Sequence, residues 1–371
     1  MADIAGNRLA RLRQRMTDTK TDLVALGPSS HMQWLLGLTP HGDERPVMAL
    51  VTADHIGVLM PQLNADASRI QCPDVPFFVW RDADGPHAAL TDLLKTINAT
   101  DAGLNIVLDE MMRADFVFLL LDQLKNPTHR FTADTVGALR AEKDAEEHKL
   151  LRESALLNDA AFKVAFDAIH SGMSERDLRD ILVGHYKANG AEIAFCTVAF
   201  GANSAFPHHH TGSSTLRPEM PVLIDAGCRL NGYPSDMTRC AWYGSKPSSQ
   251  FLQVAGIVEQ AVQAAKAAAL PGALCSDIDH AARKVITDAG FGPEFLHRTG
   301  HGLGIDVHEP PYIAANFKQP LVAGNVFSIE PGIYLKDTFG IRLEDIVYQH
   351  PDGAEVLSGM DRTIPQLRVK D

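Results

Sequence analysis

The run Val222-Leu223-Ile224-Asp225-Ala226-Gly227-Cys228-Arg229-Leu230-Asn231-Gly232-Tyr233-Pro234-Ser235-Asp236 decides how the second half of the chain is read. Asn-Gly between two strand-like runs is the strongest short hairpin signal, because both residues of the tight turn need positive φ. With Asn231 and Gly232 as the turn, Leu230 faces Tyr233, Gly227 faces Asp236 and Asp225 faces Thr238. Asp225 and Asp236 then share a sheet face as diagonal neighbours, about 7 to 8 Å apart at the backbone, and Gly227 puts no side chain between them. The alternative is a solvated hairpin face, but Ile224 and the apolar lead-in argue for a buried strand. Two carboxylates buried side by side repel unless a cation joins them.

A second acid pair has similar geometry. Val326-Phe327-Ser328-Ile329-Glu330 is a strand stopped by Pro331-Gly332, and Ile341-Arg342-Leu343-Glu344 is another, with Lys336 to Gly340 turning between them. Glu330 and Glu344 are equidistant from Asp337, so a hairpin centred there sets them opposite each other. Four carboxylates with one imidazole suit hard or borderline divalent ions, and bridging carboxylates hold two such ions about 3.5 to 4 Å apart. The imidazole candidate is His301, within Thr299-Gly300-His301-Gly302-Leu303-Gly304-Ile305-Asp306-Val307-His308-Glu309. Glycines on both sides let the backbone come close to a site. As a phosphate loop the segment lacks G-x-G-x-x-G spacing and a preceding strand, which disfavours a dinucleotide. A lone histidine is more often structural, and Pro207-His208-His209-His210 also reads as a solvated loop.

Outward from these motifs, the chain's 371 residues predict two domains. Residues 8–135 alternate strand-like runs (Leu23 to Leu26, Val47 to Val51, Ile56 to Met60, Phe77 to Trp80, Ile106 to Leu108) with helical ones such as Ala88 to Ile97, an α/β pattern. From Ala138 the text turns charged and helix-forming, which places a boundary there. Two passes of helix pair then strands follow. In the first, a helix over about Ala145 to Ile169 precedes one capped at Ser174 with Asp177; in the second, a helix over about Gln250 to Leu270 precedes one capped at Ser276 with Asp279. Two αα-then-ββ halves about one shared sheet are expected; succession of helix pairs and hairpins in any α+β protein is the plainer alternative.

Lys plus Arg number 34 against 46 for Asp plus Glu, a formal charge of −12, the wrong sign for a non-specific duplex binder. The apolar run Phe116 to Leu121 is far short of the ~20 residues a membrane helix needs. The start, Met1-Ala2-Asp3-Ile4 and then Arg8, Arg11, Arg13 and Arg15, has no apolar run of export type. Five scattered cysteines without CxxC spacing fit reduced thiols, and the expected compartment is the cytoplasm.

The set Asp225, Asp236, His301, Glu330 and Glu344, with Gly300-His301-Gly302 and His308-Glu309, resembles the pita-bread metallopeptidases of the Xaa-Pro dipeptidase (prolidase), Xaa-Pro aminopeptidase and creatinase branch. The resemblance extends over Leu139 to Tyr348; Leu139-Arg140 with Lys143-Asp144 resembles that family's lead-in to its catalytic domain. Trp34-Leu35-Leu36-Gly37 and Glu44-Arg45-Pro46 resemble the N-terminal domain more loosely. It implies an α+β protein, with a C-terminal pita-bread catalytic domain over 139–371 and a smaller N-terminal α/β domain over 1–138.

By the same resemblance, Asp225 binds one metal, Asp236 and Glu344 bridge two, and His301 and Glu330 complete the second. The ions would be Mn²⁺, Co²⁺ or Zn²⁺. Glu330 is suited to take a proton from the attacking water and pass it to the leaving nitrogen, while His208 and His308 face the scissile carbonyl. Arg342 steadies a carboxylate, and His297 is either a pocket group or a buried structural histidine. The implied activity is hydrolysis of Xaa-Pro bonds in dipeptides or short peptides by a homodimer, whose N-terminal domain, with Trp80-Arg81-Asp82 as a candidate, covers the mouth. Creatinase-like amidinohydrolysis, a small-molecule lyase and a non-catalytic peptide-binding module are the alternatives. Some prolidases carry arginine where Tyr312 stands here. Tyr312 offers an apolar face and one neutral hydrogen bond but no charge, and Tyr312 and Arg342 are the candidate substrate-binding residues beside the two histidines. Arg342, Arg298 or the N-terminal domain is left as the alternative source of a carboxylate clamp. Extended or neutral C-termini are expected to be accepted at least as readily as the free acid, within about tenfold, ~1.4 kcal/mol.

Overall fold

The Asn231-Gly232 turn takes the conformation its residues favour, with φ of 52° and 86°. The flanking strands pair in the expected register, Leu230 with Tyr233 and Asp225 with Thr238. Gly227 is required where it stands, because a Cβ there would lie 1.9 Å from the Ser235 carbonyl oxygen. These observations come from a computed structural model, which describes residues 2–368, with side chains from Gly6 onward. Met1, with which the reading for an export signal begins, lies outside the described residues.

The chain divides into two compact units, Met1–Arg140 and Ala141–Asp371. In the first, six strands lie in the spatial order Phe77–Trp80, Ile56–Pro61, Met48–Val51, Leu23–Leu26, Asn105–Leu108 and Thr128–Phe131. Leu23, Leu50, Leu59 and Ile106 from this sheet pack with Leu90, Leu93, Phe116 and Leu120 from helices His87–Thr96 and Ala114–Leu121. The helices Ser30–Leu36 and Gln62–Gln71 and the strand Thr128–Phe131 add to the elements expected from periodicity.

In the second unit the helix pair occurs twice, Ala145–Ala168 with Glu175–Ala188 and Ser249–Ala268 with Cys275–Asp288. Each pair breaks at a glycine of positive φ, Gly172 or Gly272, and each second helix is followed by another, Gly190 or Gly290. Capping boxes at Asp144 with Glu147 and at Ser174 with Asp177 start the first two helices. At Cys275–Asp288 the expected cap is not made: Leu274 holds the cap position with no side-chain bond, and Asp279 is turned inward.

The strands form two five-stranded sheets and a separate two-stranded ribbon instead of the single shared sheet expected. One sheet is built on Met220–Leu230, between Glu192–Phe200 and Met237–Tyr243; the other runs Glu309–Ile313, Gly300–Gly302, Val326–Ile329, Asp345–His350 and Gly353–Val356. Pro331, which cannot donate to a ladder, interrupts the long hairpin between Val326–Ile329 and the ribbon strand Gly332–Leu335. Alternation along Met220–Leu230 then sorts its side chains. Val222, Ile224 and Ala226 join the core of the first helix pair, while Leu223 joins that of the second. Asp225, two residues after Leu223, projects toward the second half. Among the described residues, no helix is long and apolar enough to cross a membrane.

Gly227→Ala forces a backbone shift at the hairpin and is expected to cost about 1–3 kcal/mol of stability. The check is a lower urea midpoint with an unchanged m-value.

Candidate metal centre

Asp225 comes from the middle of its strand and Asp236 from just beyond the Asn231-Gly232 turn. Glu330 and Glu344 occupy the interruption in the second long hairpin. The Ile329–Asp345 and Gly332–Arg342 pairs on either side belong to one register, which sets Glu330 across from Glu344. His301 is held in Gly300–Gly302, where a Cβ on Gly300 would lie 1.9 Å from the Ser328 carbonyl oxygen. All five line one cavity of about 690 Å³, together with His208, His297, Arg298, His308 and Arg342.

His301 Nε2 stands 3.3 Å from Glu330 Oε1 and 3.6 Å from Asp236 Oδ2. Ligand atoms of Asp236, His301 and Glu344 all lie within 4.8 Å of one another. His301 Nδ1 donates to the Gly302 carbonyl at 3.1 Å, so the proton sits there and the Nε2 lone pair points at the carboxylates. Burial, with His308 beside it, pulls the His301 pKa down to about 3 and keeps the ring neutral. Glu344 Oε2 accepts from Thr238 Oγ1 at 2.7 Å, whereas its Oε1 is buried with no hydrogen-bond partner.

Burial and mutual repulsion act together on the acids. Asp236 is raised well above the carboxylate range by burial and then by Glu344, Asp225 and Glu330. Glu344 is raised likewise by burial, Glu330 and Asp225. Burial pushes Glu330 up to about 7 against the opposing pull of Arg342. An orphaned carboxylate oxygen, an outward imidazole lone pair and acids forced toward their neutral forms fit a site for divalent cations, whose charge would reverse each of these penalties.

Arg342 is committed to positioning. Its Nη2 donates to Asp225 Oδ2 at 2.5 Å, its Nη1 to the Tyr334 hydroxyl at 2.7 Å and its Nε to Thr238 Oγ1 at 3.0 Å. The Tyr334 hydroxyl stands 2.8 Å from His297 Nε2, and His297 Nδ1 donates to the Arg298 carbonyl at 2.7 Å. Nε2 is therefore the acceptor, and Tyr334 passes the chain of bonds from Arg342 to a neutral His297, whose pKa burial and Arg342 lower to about 4. Tyr334 was not picked out in the sequence, although it lies two residues from Gly332, the pairing partner of Arg342. Ser328, which bonds the His301 N–H at 2.9 Å and Glu330 Oε1 at 3.2 Å, was also missed; its i, i+2 relation to Glu330 was the available signal.

The remaining candidates separate. His208 and His308 are exposed at the cavity, and the His308 ring lies 4.1 Å from that of His301. His209 instead bonds buried Glu175 at 2.9 Å. Tyr312 is not among the cavity-lining residues; its ring supports the Arg298 guanidinium, 4.6 Å from the ring centroid, and Arg298 faces the cavity. Asp279, expected as a cap, accepts from the Thr299 N–H and hydroxyl at 3.0 and 2.7 Å and so anchors the approach to His301. Lys143 pairs with Glu309 at 2.7 Å in the interior, holding the turn that presents His308. In the first unit, Arg45 forks onto Asp82 and Trp80 Nε1 donates to the Pro46 carbonyl.

Residues 149–350 match the family described as Metallopeptidase family M24, and residues 8–117 match the Creatinase/Prolidase N-terminal domain. The chain is 31% identical over 370 residues to the Xaa-Pro dipeptidase of Lactobacillus helveticus, covering 98% of this chain and 100% of that one. It is 39% identical over 362 residues to the putative dipeptidase YkvY of Bacillus subtilis, covering 95% and 97%. A crystal structure of recombinant prolidase from Thermococcus sibiricus superposes with a TM-score of 0.89 at 30% identity, covering 97% of this chain and 98% of that one. The pita-bread α+β fold with a smaller N-terminal domain is thus the fold of this chain.

For metal-stripped protein, the raised pKa of Glu330 fixes the sign of a pH dependence. A carboxyl at about 7 when folded and near its ordinary value when unfolded stabilises the acid form, and that contribution is lost as pH rises toward 7. Stability should fall between about pH 4.5 and 7 in chelator and stop falling when divalent cation is restored. Denaturation midpoints across that window, with and without cation, check it.

Proposed function

The chain belongs to metallopeptidase family M24, and from that premise we propose that it hydrolyses the peptide bond before proline in Xaa-Pro dipeptides. The observation that carries the reading is the convergence of Asp225, Asp236, His301, Glu330 and Glu344 on one cavity, with a buried unpartnered oxygen on Glu344. These five residues would hold two divalent cations of the Mn²⁺, Co²⁺ or Zn²⁺ class. Such cations supply Lewis-acid polarisation of the scissile carbonyl and bring the pKa of the attacking water toward neutrality.

The rest of the work falls to side chains. Glu330 would accept a proton from the attacking water and return it to the proline nitrogen. Partial desolvation and the nearby Arg298 lower the His308 pKa, and His308 with His208, both lining the cavity, would donate hydrogen bonds to the carbonyl oxygen as negative charge develops on it. Arg342 holds Asp225 in place, with its Nε, Nη1 and Nη2 each engaged by a neighbouring side chain.

The expectation of tolerance toward neutral C-termini rested on Tyr312 facing the substrate. With Arg298 stacked on Tyr312 at the cavity, a guanidinium is available to take the free carboxylate after proline, and the proposed preference shifts to the dipeptide acid.

Glu330→Gln is expected to lower kcat at least a hundredfold with the fold intact, in line with removal of a general base. Activity within a few-fold of wild type would remove Glu330 from the proton transfer. Arg298→Ala should lower kcat/KM for Ala-Pro by about tenfold or more while changing Ala-Pro-amide far less. Equal losses on both substrates would show that Arg298 does not bind the carboxylate.

A further inference from the structure

Away from the cavity, three potential metal ligands meet where the first helix of the second unit touches the edge of a sheet. His148 lies in the first turn of Ala145–Ala168. His350 and Glu355 come from the last two strands of the second five-stranded sheet, where Tyr348 pairs with Glu355 and His350 with Gly353. His350 and Glu355 are therefore diagonal neighbours on one face. His148 Nε2 and His350 Nε2 both point at the same oxygen, Glu355 Oε2, from 3.1 and 2.8 Å. Ligand atoms from all three residues fall within 4.8 Å of one another.

The surroundings fix this arrangement. Arg152 occupies the other Glu355 oxygen, so Oε2 is held toward the two rings. The Tyr348 ring sits 4.1 Å from that of His148 and 4.7 Å from that of His350, limiting the rotation of both. Asp144 and Glu147 add negative charge beside Tyr348. In a tetrahedral site with ligands about 2.0–2.1 Å from the ion, ligand atoms stand about 3.3 Å apart, close to the two imidazole–carboxylate distances of 3.1 and 2.8 Å. The side chains are 23%, 38% and 25% exposed for His148, His350 and Glu355, open enough for an ion to enter and for water to complete the coordination.

We propose that His148, His350 and Glu355 form a second, peripheral site for a divalent transition-metal ion, clamping the start of the helix to the sheet edge. Two imidazoles and one carboxylate select Zn²⁺, Ni²⁺ or Cu²⁺ over Mg²⁺ and Ca²⁺. The site is independent of the peptidase reading, because none of its residues lines the catalytic cavity.

The test compares the full-length wild type with H148Q/H350Q. Both are stripped of metal, equilibrated with micromolar free Zn²⁺, desalted and analysed for zinc. The double variant should hold one equivalent fewer per chain, with unchanged kcat on Ala-Pro once catalytic metal is restored. Cu²⁺-loaded wild type should also show an electron paramagnetic resonance component, with coupling to two nitrogens, that the variant lacks. Equal zinc content in the two proteins overturns the proposal and leaves a hydrogen-bonded His-Glu-His cluster. If the double variant does not fold, His350→Gln is read in the same way, and equal zinc content there is equally decisive.

Discussion

Asp225, Asp236, Glu330 and Glu344 stand around His301 where little water can reach, and their mutual repulsion is the constraint on which the rest of this unit depends. In such surroundings each uncompensated charge costs several kcal/mol. The protein neutralises one of them with Arg342, bound to Asp225 at 2.5 Å. It satisfies one oxygen of Glu344 through Thr238 and leaves the other without a partner. The neutral His301 ring contributes a lone pair and no charge. What remains is a cluster of carboxylate oxygens around one imidazole lone pair, a donor set suited to divalent cations.

The fold bears this cost by sandwiching the site between two well-packed layers. Each helix pair closes its own core, and the central strand contributes alternate residues to both, Ile224 to one and Leu223 to the other. Acid residues are thereby carried on strands whose neighbours are fixed by dense apolar packing, which resists the relaxation that repulsion would otherwise drive. Close backbone approach at Gly227 and Gly300 completes the arrangement.

Much of this geometry was legible in the sequence because hairpin register is a local property. Asn231-Gly232 fixes which residues face Asp225 and Asp236, and the symmetric spacing about Asp337 sets Glu330 against Glu344. Tertiary choices were less visible. Ser276 and Asp279 have capping-box spacing, yet Asp279 spends its carboxylate on Thr299 and Arg283, a contact no local pattern announces. Tyr334 joins Arg342 to His297 only because the ribbon folds back beside the site. The three adjacent histidines looked alike in the chain, and burial of Glu175 beneath them decides that His209 is structural while His208 faces the cavity.

The claim that these carboxylates exist to hold two cations in bridged contact is tested most directly by electron paramagnetic resonance during titration of metal-stripped protein with Mn²⁺. The account predicts that the second equivalent converts the isolated-ion signal into the broadened spectrum of an exchange-coupled pair. Two equivalents bound with only additive, uncoupled signals would contradict it.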